Sequence, residues 1–419
     1  MTARPKNRSH IAVAIATACI VATVPAHAFD FTWTPTARTA MRLDDNIRGA
    51  SENGEDAFGF DMGGGVSLKA QNETLTSEIF PRFNLRRFAI GDNLDADEYS
   101  VAFNNDWLQP YYATGLDFSY VRDSTLTTEA TDFGLQNVVT NRDSISVQPN
   151  ATYFLTDKLA LQSSFSFNDV AYIDAAGSGF FDYRYLQGSA GASYKWRDDL
   201  TTFANFFASD FNVKDQNSKT RTYGGQSGIT WIWDETLEVS GAMGWVASNI
   251  SFTEQQLTLA FNPTRLVVLD IPAEASTAGP IASVTIRKIF DNAVAKFDYS
   301  RQVSPSGRGS QSTADRITLA LERRLTDNLS LLFDGLHEMR SAQSQDIGAG
   351  LGARDLNRDY SEVRGAIRYR VSKAWTLGAS YRHGRSQSTN LNSSSTADIN
   401  TMYLTVDYNG LPNIFYNGF

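Results

Sequence analysis

The sequence predicts an all-β fold, a transmembrane antiparallel up-and-down β-barrel with about 18 strands, within a range of roughly 16 to 20. Short turns recur between segments of roughly 10 residues in which apolar and polar side chains alternate. Two of these turns repeat one phrase, at Leu155–Leu159 and Leu325–Leu329. After residue 28 no stretch approaches the ~18 continuous apolar residues of a membrane-spanning helix.

Alternation and turn residues place the individual strands. The even total suits a single-chain bacterial barrel whose two termini both lie in the periplasm. The strands are predicted near 32–46, 58–70, 75–88, 98–108, 111–123, 143–155, 159–173, 181–196, 200–213, 220–233, 236–249, 279–290, 293–303, 313–325, 329–340, 360–371, 375–386 and 396–408.

The predicted links between strands fall into two alternating classes. Even-numbered strands are followed by turns of a few residues, at 71–73, 109–110, 156–158, 197–199, 234–235, 291–292, 326–328 and 372–373. Odd-numbered strands are followed by longer links, such as 124–142, 250–278 and 341–359. Short periplasmic turns and long external loops are typical of a barrel inserted in one orientation, and a soluble β-sandwich does not require this regularity.

Residues 1–28 are predicted to be a cleaved signal peptide, which leaves 29–419 as a single barrel domain. The segment has a basic start, an apolar run and the small-residue end Ala26-His27-Ala28. Removing three basic residues takes the net charge from −9 to −12, which argues against nucleic acid as a partner. Cys19 could instead be a lipid-modified terminus, but apolar residues continue beyond it and Ala28 is the better cleavage site.

Tryptophan is concentrated at one end of the predicted barrel. Its apolar ring with one polar N–H favours the headgroup region of a bilayer, so these residues are predicted to form an aromatic girdle. The alternative, that aromatic residues simply favour strands, predicts no preference for one rim. Trp245 is the exception, in mid-strand, and the girdle residues are Trp33, Trp107, Trp196, Trp231, Trp233 and Trp375.

The same alternation assigns a lipid-facing side to each strand. A barrel of about 18 strands is too wide to be filled by its own side chains, so the other side should line a water-filled lumen unless a loop folds into it. The predicted lipid face includes Phe58, Phe60, Met62, Val66, Leu68, Ile317, Leu319, Leu321, Trp375, Leu377, Ala379 and Tyr381.

The predicted lumen carries a basic set near the point where the barrel closes. Guanidinium groups bind carboxylates and phosphates, so these residues could select anions: Arg38, Arg42, Arg82, Arg86, Arg316, Arg324, Arg364, Arg368, Arg370 and Arg382. They could equally form ion pairs that brace the barrel. Both readings stay open, because the predicted interior also carries Asp44, Asp61, Glu78, Asp298, Glu322, Asp334, Glu338 and Glu362.

Catalysis is not expected. Of the histidines in the predicted mature chain, His337 and His383 both fall on the lipid-facing parity, which suits an interfacial residue better than a general base. Ser386 lies close to His383 in sequence and is the one candidate partner for a rim hydrolase. No metal-ligand spacing or cofactor-binding motif is present, so neither a metal nor a cofactor is expected.

Two segments depart from the regular pattern. The link 250–278 contains two apolar stretches, which either extend the adjacent strands as a rigid hairpin above the membrane or fold inward as a lid. The extended hairpin is preferred; two further membrane strands would raise the count to about 20. The tail 410–419 does not alternate cleanly, and Pro412 cannot donate to a strand ladder.

The signal peptide, the early segment Arg42–Ile47, the repeated turns and the terminal Phe419 together resemble the porin-type outer-membrane β-barrels often associated with exopolysaccharide loci. The resemblance implies an outer-membrane location, contact with outer-membrane lipid and the barrel assembly machinery, and a passive channel. Its cargo would be anionic solutes or secreted acidic polysaccharide, as in the alginate-secretion barrel. The alternative is an adhesive barrel with a blocked lumen that acts through its external loops.

Overall fold

One antiparallel sheet closes on itself in the computed structural model, which describes residues 29–91, 93–128, 139–173, 180–214, 218–261, 264–305, 311–342, 357–390 and 393–415. The predicted fold class is confirmed. Eighteen long strands and one short terminal strand form the sheet: β1 Asp30–Asp44, β2 Ala57–Gln71, β3 Leu75–Ile90, β4 Ala96–Leu108, β5 Tyr112–Ser124, β6 Asn141–Phe154, β7 Leu159–Ile173, β8 Tyr183–Arg197, β9 Leu200–Val213, β10 Ser218–Asp234, β11 Leu237–Phe261, β12 Thr264–Ile289, β13 Ala293–Pro305, β14 Gln311–Arg324, β15 Leu329–Ala342, β16 Asn357–Arg370, β17 Trp375–Asn390, β18 Ser393–Asn409 and β19 Asn413–Phe415.

Closure comes from pairing between the first and last long strands. Each long strand pairs with its neighbours in sequence, and β18 returns to pair with β1 from Thr36 opposite Asn409 to Asp44 opposite Thr401. The closed sheet leaves neither strand with an open edge there, as a backbone inside hydrocarbon requires. The one described helix, α1 Thr125–Thr128, is a single turn. Within the described ranges, no helix has the length and apolar character needed to cross a membrane.

The irregular tail completes the first strand. β19 pairs with the start of β1, with Phe415 opposite Phe31, and the Gly410 N–H donates to the Pro35 carbonyl at 2.8 Å. Pro412 falls in the unpaired link between β18 and β19, where a residue without an N–H does no damage to a ladder. Phe419 lies outside the described residues, as does the predicted signal peptide.

Side-chain oxygens stabilise the short turns. The Thr326 hydroxyl accepts the N–H groups of Asn328 and Leu329 at 3.3 and 3.0 Å, and the Leu325 N–H donates to the Leu329 carbonyl at 2.8 Å. Thr156 makes the same contacts in the other copy of the phrase. Asp234 has this role in the turn after β10, where hydrogen bonds from Thr236 lower the pKa of its carboxyl. The repeated phrase is therefore a turn-capping device.

The predicted short turns are confirmed, while several external links are shorter than predicted. The strands β11 and β12 run for 25 and 26 residues and are joined across 262–263, so the extended hairpin is confirmed and the 250–278 segment is not a loop. Beyond Ser251, the last residue of β11 that pairs with β10, ten more residues project roughly 30 Å. The 250–278 segment was predicted as a link because it lies beyond the membrane-spanning length. The two strands continue through it above the membrane.

Large apolar side chains cover the outside of the barrel. On β14, Ile317, Leu319 and Leu321 are all exposed, and each lies opposite an outward residue of β13, such as Phe297 opposite Leu319. The same parity continues around the ring through Met41, Met62, Phe83, Phe206, Met243, Ile367, Leu377 and Leu404. A continuous belt of exposed apolar side chains on a closed sheet is the surface of a membrane-spanning barrel.

The external end of the barrel holds two small apolar clusters that face inward. Ile47, Ala57, Leu94 and Leu126 bring together the loops after β1, β3 and β5. In the nearby β7–β8 sector, Val170, Tyr172 and Phe180 pack with Tyr183, and the rings of Tyr172 and Phe180 stack with centroids 4.8 Å apart. The loops of these sectors therefore rest on the barrel wall.

A charge placed on the outer belt should destabilise the barrel. Replacing Leu319 by Arg exposes a cation to hydrocarbon and is expected to cost about 2–4 kcal/mol of unfolding free energy. The control is Ala320→Arg, one residue along the same strand, which faces the interior opposite Asp334 and should cost less than about 1 kcal/mol. Urea unfolding in lipid vesicles measures both. Equal losses for the two variants would contradict the assigned faces.

Removing a turn cap should have a smaller effect. Thr326→Val keeps the shape of the side chain but leaves two backbone N–H groups without their acceptor, and we expect a loss of about 1 kcal/mol in the same unfolding assay. Thr326→Ser, which retains the hydroxyl, should remain close to the original chain. A Ser variant as unstable as the Val variant would show that the hydroxyl is not the stabilising group.

Candidate functional site in the barrel lumen

All of the predicted lumen arginines lie on the parity opposite the apolar belt. Arg42, for example, is opposite Gly59, whereas the adjacent Met41 is opposite the outward Phe60. The structure thus brings these side chains to the inner wall, on β1, β3, β14, β16 and β17. Whether they select ions stays a prediction. Their placement is shared by Arg38, Arg42, Arg82, Arg86, Arg316, Arg324, Arg364, Arg368, Arg370 and Arg382.

Arg42 forms the most enclosed of these sites, at the β1–β18 seam. Its guanidinium is held by the carboxylate of Asp44, with Nη2 to Oδ1 at 3.2 Å, and lies 5.5 Å from the ring centroid of Tyr403. The Thr401 hydroxyl donates to Asp44 across the seam. Arg42 is 7% exposed and Asp44 is 5% exposed. This cation is neutralised in place and joins the two ends of the sheet.

Arg86 forms a second neutralised site on β3. Its Nε lies 2.9 Å from Asp61 and its Nη1 lies 3.3 Å from Glu98, so it joins β2, β3 and β4. Asn84 donates to the same Glu98 carboxylate at 2.9 Å. A cation with two carboxylates contributes no positive surplus to the lumen, and its contacts cross three strands. Arg86 therefore braces the wall.

Glu338 organises a third site between β14 and β15. Arg316 lies 2.5 Å from one carboxylate oxygen and Arg340, on the same strand as Glu338, lies 3.0 Å from the other. Glu338 is only 3% exposed, so it is enclosed by these two cations. Three other predicted arginines form more open pairs: Arg364 with Asp334 at 3.0 Å, Arg38 with Asp407 at 3.6 Å and Arg382 with Glu362 at 3.8 Å.

Six of the ten arginines therefore face a carboxylate within 4 Å. The other four, Arg82, Arg324, Arg368 and Arg370, lie within 4 Å of no carboxylate of the described residues. Arg370 donates to the backbone carbonyl of Asp327, and Arg82 stacks 3.9 Å from the ring centroid of Phe80. Uncompensated positive charge among the ten predicted lumen arginines is therefore limited to these four.

The predicted interior carboxylates are mostly engaged. Besides those paired with the arginines, Asp298 lies 3.0 Å from Lys296 and accepts a hydrogen bond from Thr285 at 2.8 Å. Glu78 accepts a hydrogen bond from Ser67 at 2.5 Å. For Glu322, no ion pair forms with another of the described side chains. Most charges on this wall are therefore held in local pairs, which leaves four arginines against Glu78 and Glu322 outside the ion pairs of the described residues.

A recess of about 480 Å³ opens on the inner wall between Arg38 and Arg82. Its floor is β2, where Gly63 lies opposite Arg38 and Gly65 lies opposite Arg82. A Cβ on Gly65 would come within 3.0 Å of the Phe80 ring and within 3.0 Å of Arg82 Cγ. The glycines therefore make room for the Phe80–Arg82 stack. The recess has room for a carboxylate or a phosphate, and Glu98, Asp123 and Asp407 line it as well as the arginines.

The predicted girdle residues lie on the outer face near the short turns. Three of them contact a neighbouring aromatic ring: Trp107 with Tyr112 at 5.4 Å, Trp375 with Tyr408 at 4.9 Å and Trp196 with Tyr194 at 4.8 Å between centroids. Trp231 and Trp233 pair with each other at 4.4 Å, and Trp33 lies opposite Leu68. Trp245 is 58% exposed in mid-strand. A role as a membrane-interface belt stays a prediction.

The histidines are separated from the candidate serine. His383 faces outward, where its Nδ1 lies 2.8 Å from Asn400 Oδ1, whereas Ser386 faces inward and accepts a hydrogen bond from Arg358 at 3.1 Å. His337 is also outward, 2.9 Å from the Ser361 hydroxyl. The structure therefore does not bring His383 and Ser386 together. No cluster of three or more metal-binding side chains occurs in the part of the chain that the structure describes.

Sequence reasoning missed an inward-facing apolar stripe on β9. Phe203, Phe207 and Phe211 all face the interior, and the first two rings lie against Gly228 and Gly224 of β10. Phe206 and Phe207 are adjacent in sequence and therefore lie on opposite faces of the strand. The sequence does not indicate which of the two rings faces inward. A buried pair was also missed: Arg142 lies 2.9 Å from Asp123 at the external end of β5, where burial raises the pKa of the Asp123 carboxyl and Arg142 partly offsets the shift.

Comparisons with known proteins show similarity of fold. No protein-family model matches the chain, and no curated protein matches it. Among solved structures, the chain is similar to the closed form of the ferric-catecholate import receptor Fiu from E. coli K12, with 8% identity, a TM-score of 0.48, and 92% of this chain and 82% of that chain covered. It is also similar to OccAB3 from Acinetobacter baumannii, with 12% identity, a TM-score of 0.45 and coverage of 92% and 99%.

A third similar structure is OpdL from Pseudomonas aeruginosa, with 13% identity, a TM-score of 0.45, and 91% of this chain and 99% of that chain covered. Identities this low indicate similarity of fold alone. Because the TM-scores are below 0.5, the functional interpretation uses only features of this chain: the closed sheet, the apolar outer belt and the charged inner wall.

Neutralising Glu338 should destabilise the barrel without changing its shape. Glu338→Gln leaves Arg316 and Arg340 without their shared carboxylate, and we expect a loss of about 2–3 kcal/mol, reduced by the partial exposure of Arg316. Asp334→Asn is the control, because that carboxylate is 41% exposed and pairs with one arginine. Its loss should stay below about 1 kcal/mol. Similar unfolding free energies for the two variants would contradict a bracing role for Glu338.

Proposed function

We propose that this chain is a passive channel of the bacterial outer membrane, with a lumen biased towards anionic solutes. The observation that carries the proposal is a closed sheet of 18 long strands with a continuous apolar belt on its outer face and a mainly polar inner face. A barrel of that width encloses more space than its own side chains fill. Solutes would cross along the charged inner wall, driven by their own gradients.

The outer-membrane location follows from the architecture. Closed antiparallel barrels with short turns at one end are the spanning structures of that membrane, because strand pairing satisfies every backbone group in the hydrocarbon. Both described ends of the chain lie at the short-turn rim, where β19 pairs with the start of β1. The proposal includes export behind the predicted signal peptide, insertion by the barrel assembly machinery and contact with outer-membrane lipid.

The anion bias rests on the arginines without a carboxylate partner. Arg82 overhangs the glycine floor of the recess, and Arg368, on β16, is highly exposed on the inner wall. Arg38, whose side chain is 63% exposed, faces the same recess although it lies 3.6 Å from Asp407. Fixed cations in a narrow aqueous path raise the local concentration of anions. In this proposal, the arginines in ion pairs stabilise the inner wall, and the arginines without a carboxylate partner on the same wall attract anions.

Acidic polysaccharide is the polymeric form of the same ligand chemistry. A carboxylated sugar presents the group that guanidinium binds in two parallel hydrogen bonds, and a chain of such sugars could move between successive arginines. Measuring how each solute blocks the channel current distinguishes a polymer cargo from a small-solute cargo. A polymer channel is blocked by acidic oligosaccharides at concentrations where the monomeric sugar acid has no effect, whereas a small-solute channel responds to both alike.

Selectivity should depend on the isolated arginines. In planar bilayers with a KCl gradient, Arg82→Gln with Arg368→Gln removes two uncompensated charges, and we expect the reversal potential to shift towards cation selectivity. The control is Arg364→Gln with Asp334→Asn, which removes an ion pair and leaves the net charge unchanged. That control should keep the original reversal potential. No shift in the first variant would contradict the anion bias, and no current from the unaltered protein would contradict the channel.

The projecting β11–β12 hairpin favours a second candidate, an adhesive barrel. It extends beyond both neighbouring strands, since the pairing of β10 with β11 ends at Lys219 opposite Ser251 and β13 pairs with β12 only as far as Ala282. Replacing residues 253–272 by a two-residue turn would retain the pairing of Phe252 with Ala273. The channel proposal expects unchanged conductance from this deletion. Unchanged current together with lost attachment to a surface would add adhesion as a second activity.

A further inference from the structure

The outward face near the external rim carries ion pairs just above the apolar belt. Four of them are balanced, with one cation and one carboxylate each: Arg87 with Asp97 at 2.6 Å, Arg122 with Asp143 at 2.7 Å, Arg301 with Asp315 at 3.5 Å and Arg385 with Asp398 at 3.9 Å. Three of the pairs join directly opposed residues of neighbouring strands, and Arg87 lies diagonally from Asp97, which is opposite Leu85. Balanced pairs of this kind leave no net charge at the rim.

The sector from β7 to β10 differs. Arg184 and Lys214 share Asp169, at 3.5 and 2.8 Å. Arg221 and Lys219 share Asp210, at 3.5 and 2.9 Å. Asp182, whose carboxylate accepts a hydrogen bond from the Tyr172 N–H at 2.9 Å, also lies in this sector. Its described residues therefore place four cations against three carboxylates. Their outward direction follows from the register, in which Asp169 lies opposite Arg184, and Asp210 lies opposite Arg221.

The surplus cations lie close together and remain accessible. Asn212 of β9 lies opposite both Arg184 and Lys219, so these two residues are two strand spacings apart, or about 10 Å. The side chains of Arg184 and Arg221 are 51% and 57% exposed. In both, the guanidinium lies 3.5 Å from the carboxylate, through Nε. Such a group can receive a phosphate.

A track of small side chains descends from this cluster along the lipid face. Below Arg184, the outward positions of β8 are Leu186, Gly188, Ala190 and Ala192. A Cβ on Gly188 would meet nothing within 4 Å. The neighbouring Phe206, which is 72% exposed, does not cover the track, because its ring lies against Gly225 on the other side, 3.0 Å from where a Cβ of that glycine would be.

The track leads into an open groove lower on the same face. The groove has a volume of about 800 Å³ and is lined by Ala192, Ala204, Met243 and Ala282 among others. Below Leu186 the path is lined by small residues, and the larger side chains of Phe206 and Met243 lie beside it. An acyl chain lying here would contact protein on its sides instead of only neighbouring lipid. The headgroup of the same molecule would then reach the cationic cluster.

We propose that the outer surface of β7–β10 is a binding site for a phosphorylated lipid of the external leaflet. The phosphate is bound by Arg184, Lys219 and Arg221, and one acyl chain follows Gly188, Ala190 and Ala192. Charge complementarity selects the headgroup, since this is the rim sector with a positive surplus among the described residues, and each basic side chain near a membrane surface adds to the attraction. The site depends on the membrane-embedded barrel and not on conduction through it.

Native mass spectrometry of the full chain in neutral detergent tests the site. The probes are phosphatidic acid and the diacylglycerol with the same two acyl chains, so that the pair differs only in the phosphate. We expect the phosphatidic acid to bind at least about tenfold more tightly. Equal binding of the two lipids would overturn the proposal, and inorganic phosphate that displaces the lipid at low millimolar concentration would show that the site recognises free phosphate instead.

Two variants assign the contacts. Arg184→Gln with Lys219→Gln and Arg221→Gln should remove the preference for phosphatidic acid, whereas Arg301→Gln with Arg385→Gln, which removes cations from balanced pairs, should leave it within about twofold. Gly188→Leu with Ala190→Leu should weaken both lipids, because it fills the track. An unchanged preference in the first variant, or an equal loss in the control, would contradict the cluster. Conductance measured on the same samples distinguishes failure of this site from failure of the channel.

Discussion

The rest of the structure depends on one constraint: every backbone N–H and C=O group inside hydrocarbon needs a partner from the chain itself. The pairing of β18 with β1 meets this constraint by removing the last open edges of the sheet. Once the sheet is closed, the two-residue period of a strand divides all side chains between lipid and lumen. The apolar belt, the polar wall and the capped turns are consequences of that division.

Charge on the inner wall has two distinct uses. Arg42, Arg86 and Arg316 are held by carboxylates of their own or adjacent strands, and such contacts fix the register where the barrel has no solid core. Arg82 has an aromatic ring beneath it and no described carboxylate within reach, so its charge stays available to solutes. The same logic applies outside, where balanced rim pairs contrast with the surplus of the β7–β10 sector. The difference in each case is the ratio of cations to carboxylates.

Much of the fold was predictable because turn phrases and alternation are local properties. The turn at Leu325–Leu329 is capped by the threonine that its sequence repeats, and the parity of β14 follows from Ile317, Leu319 and Leu321 alone. The ends of β11 and β12 were not predictable, since strands that continue above the membrane keep the same pattern. Ion-pair partners were not predictable either: whether Arg82 meets a carboxylate depends on register across strands, which alternation does not specify. The inward turn of Phe207 depends on Gly224 of the next strand, which is again a question of register.

Closure of the sheet is tested most directly by joining its two ends. Ala40 lies opposite Thr405 in the β1–β18 pairing, and Cys19, the chain's only cysteine, falls in the predicted signal peptide. A short bis-maleimide, which forms a thioether with each thiol, applied to Ala40→Cys with Thr405→Cys in native membranes should give a circularised species with altered electrophoretic mobility after denaturation. The comparison is Ala40→Cys with Ser380→Cys, because Ser380 lies on β17, one strand removed from the seam. Efficient crosslinking of the first pair and little of the second is the predicted result. Absence of crosslinking in the first pair, or equal yields in both, would contradict a sealed barrel.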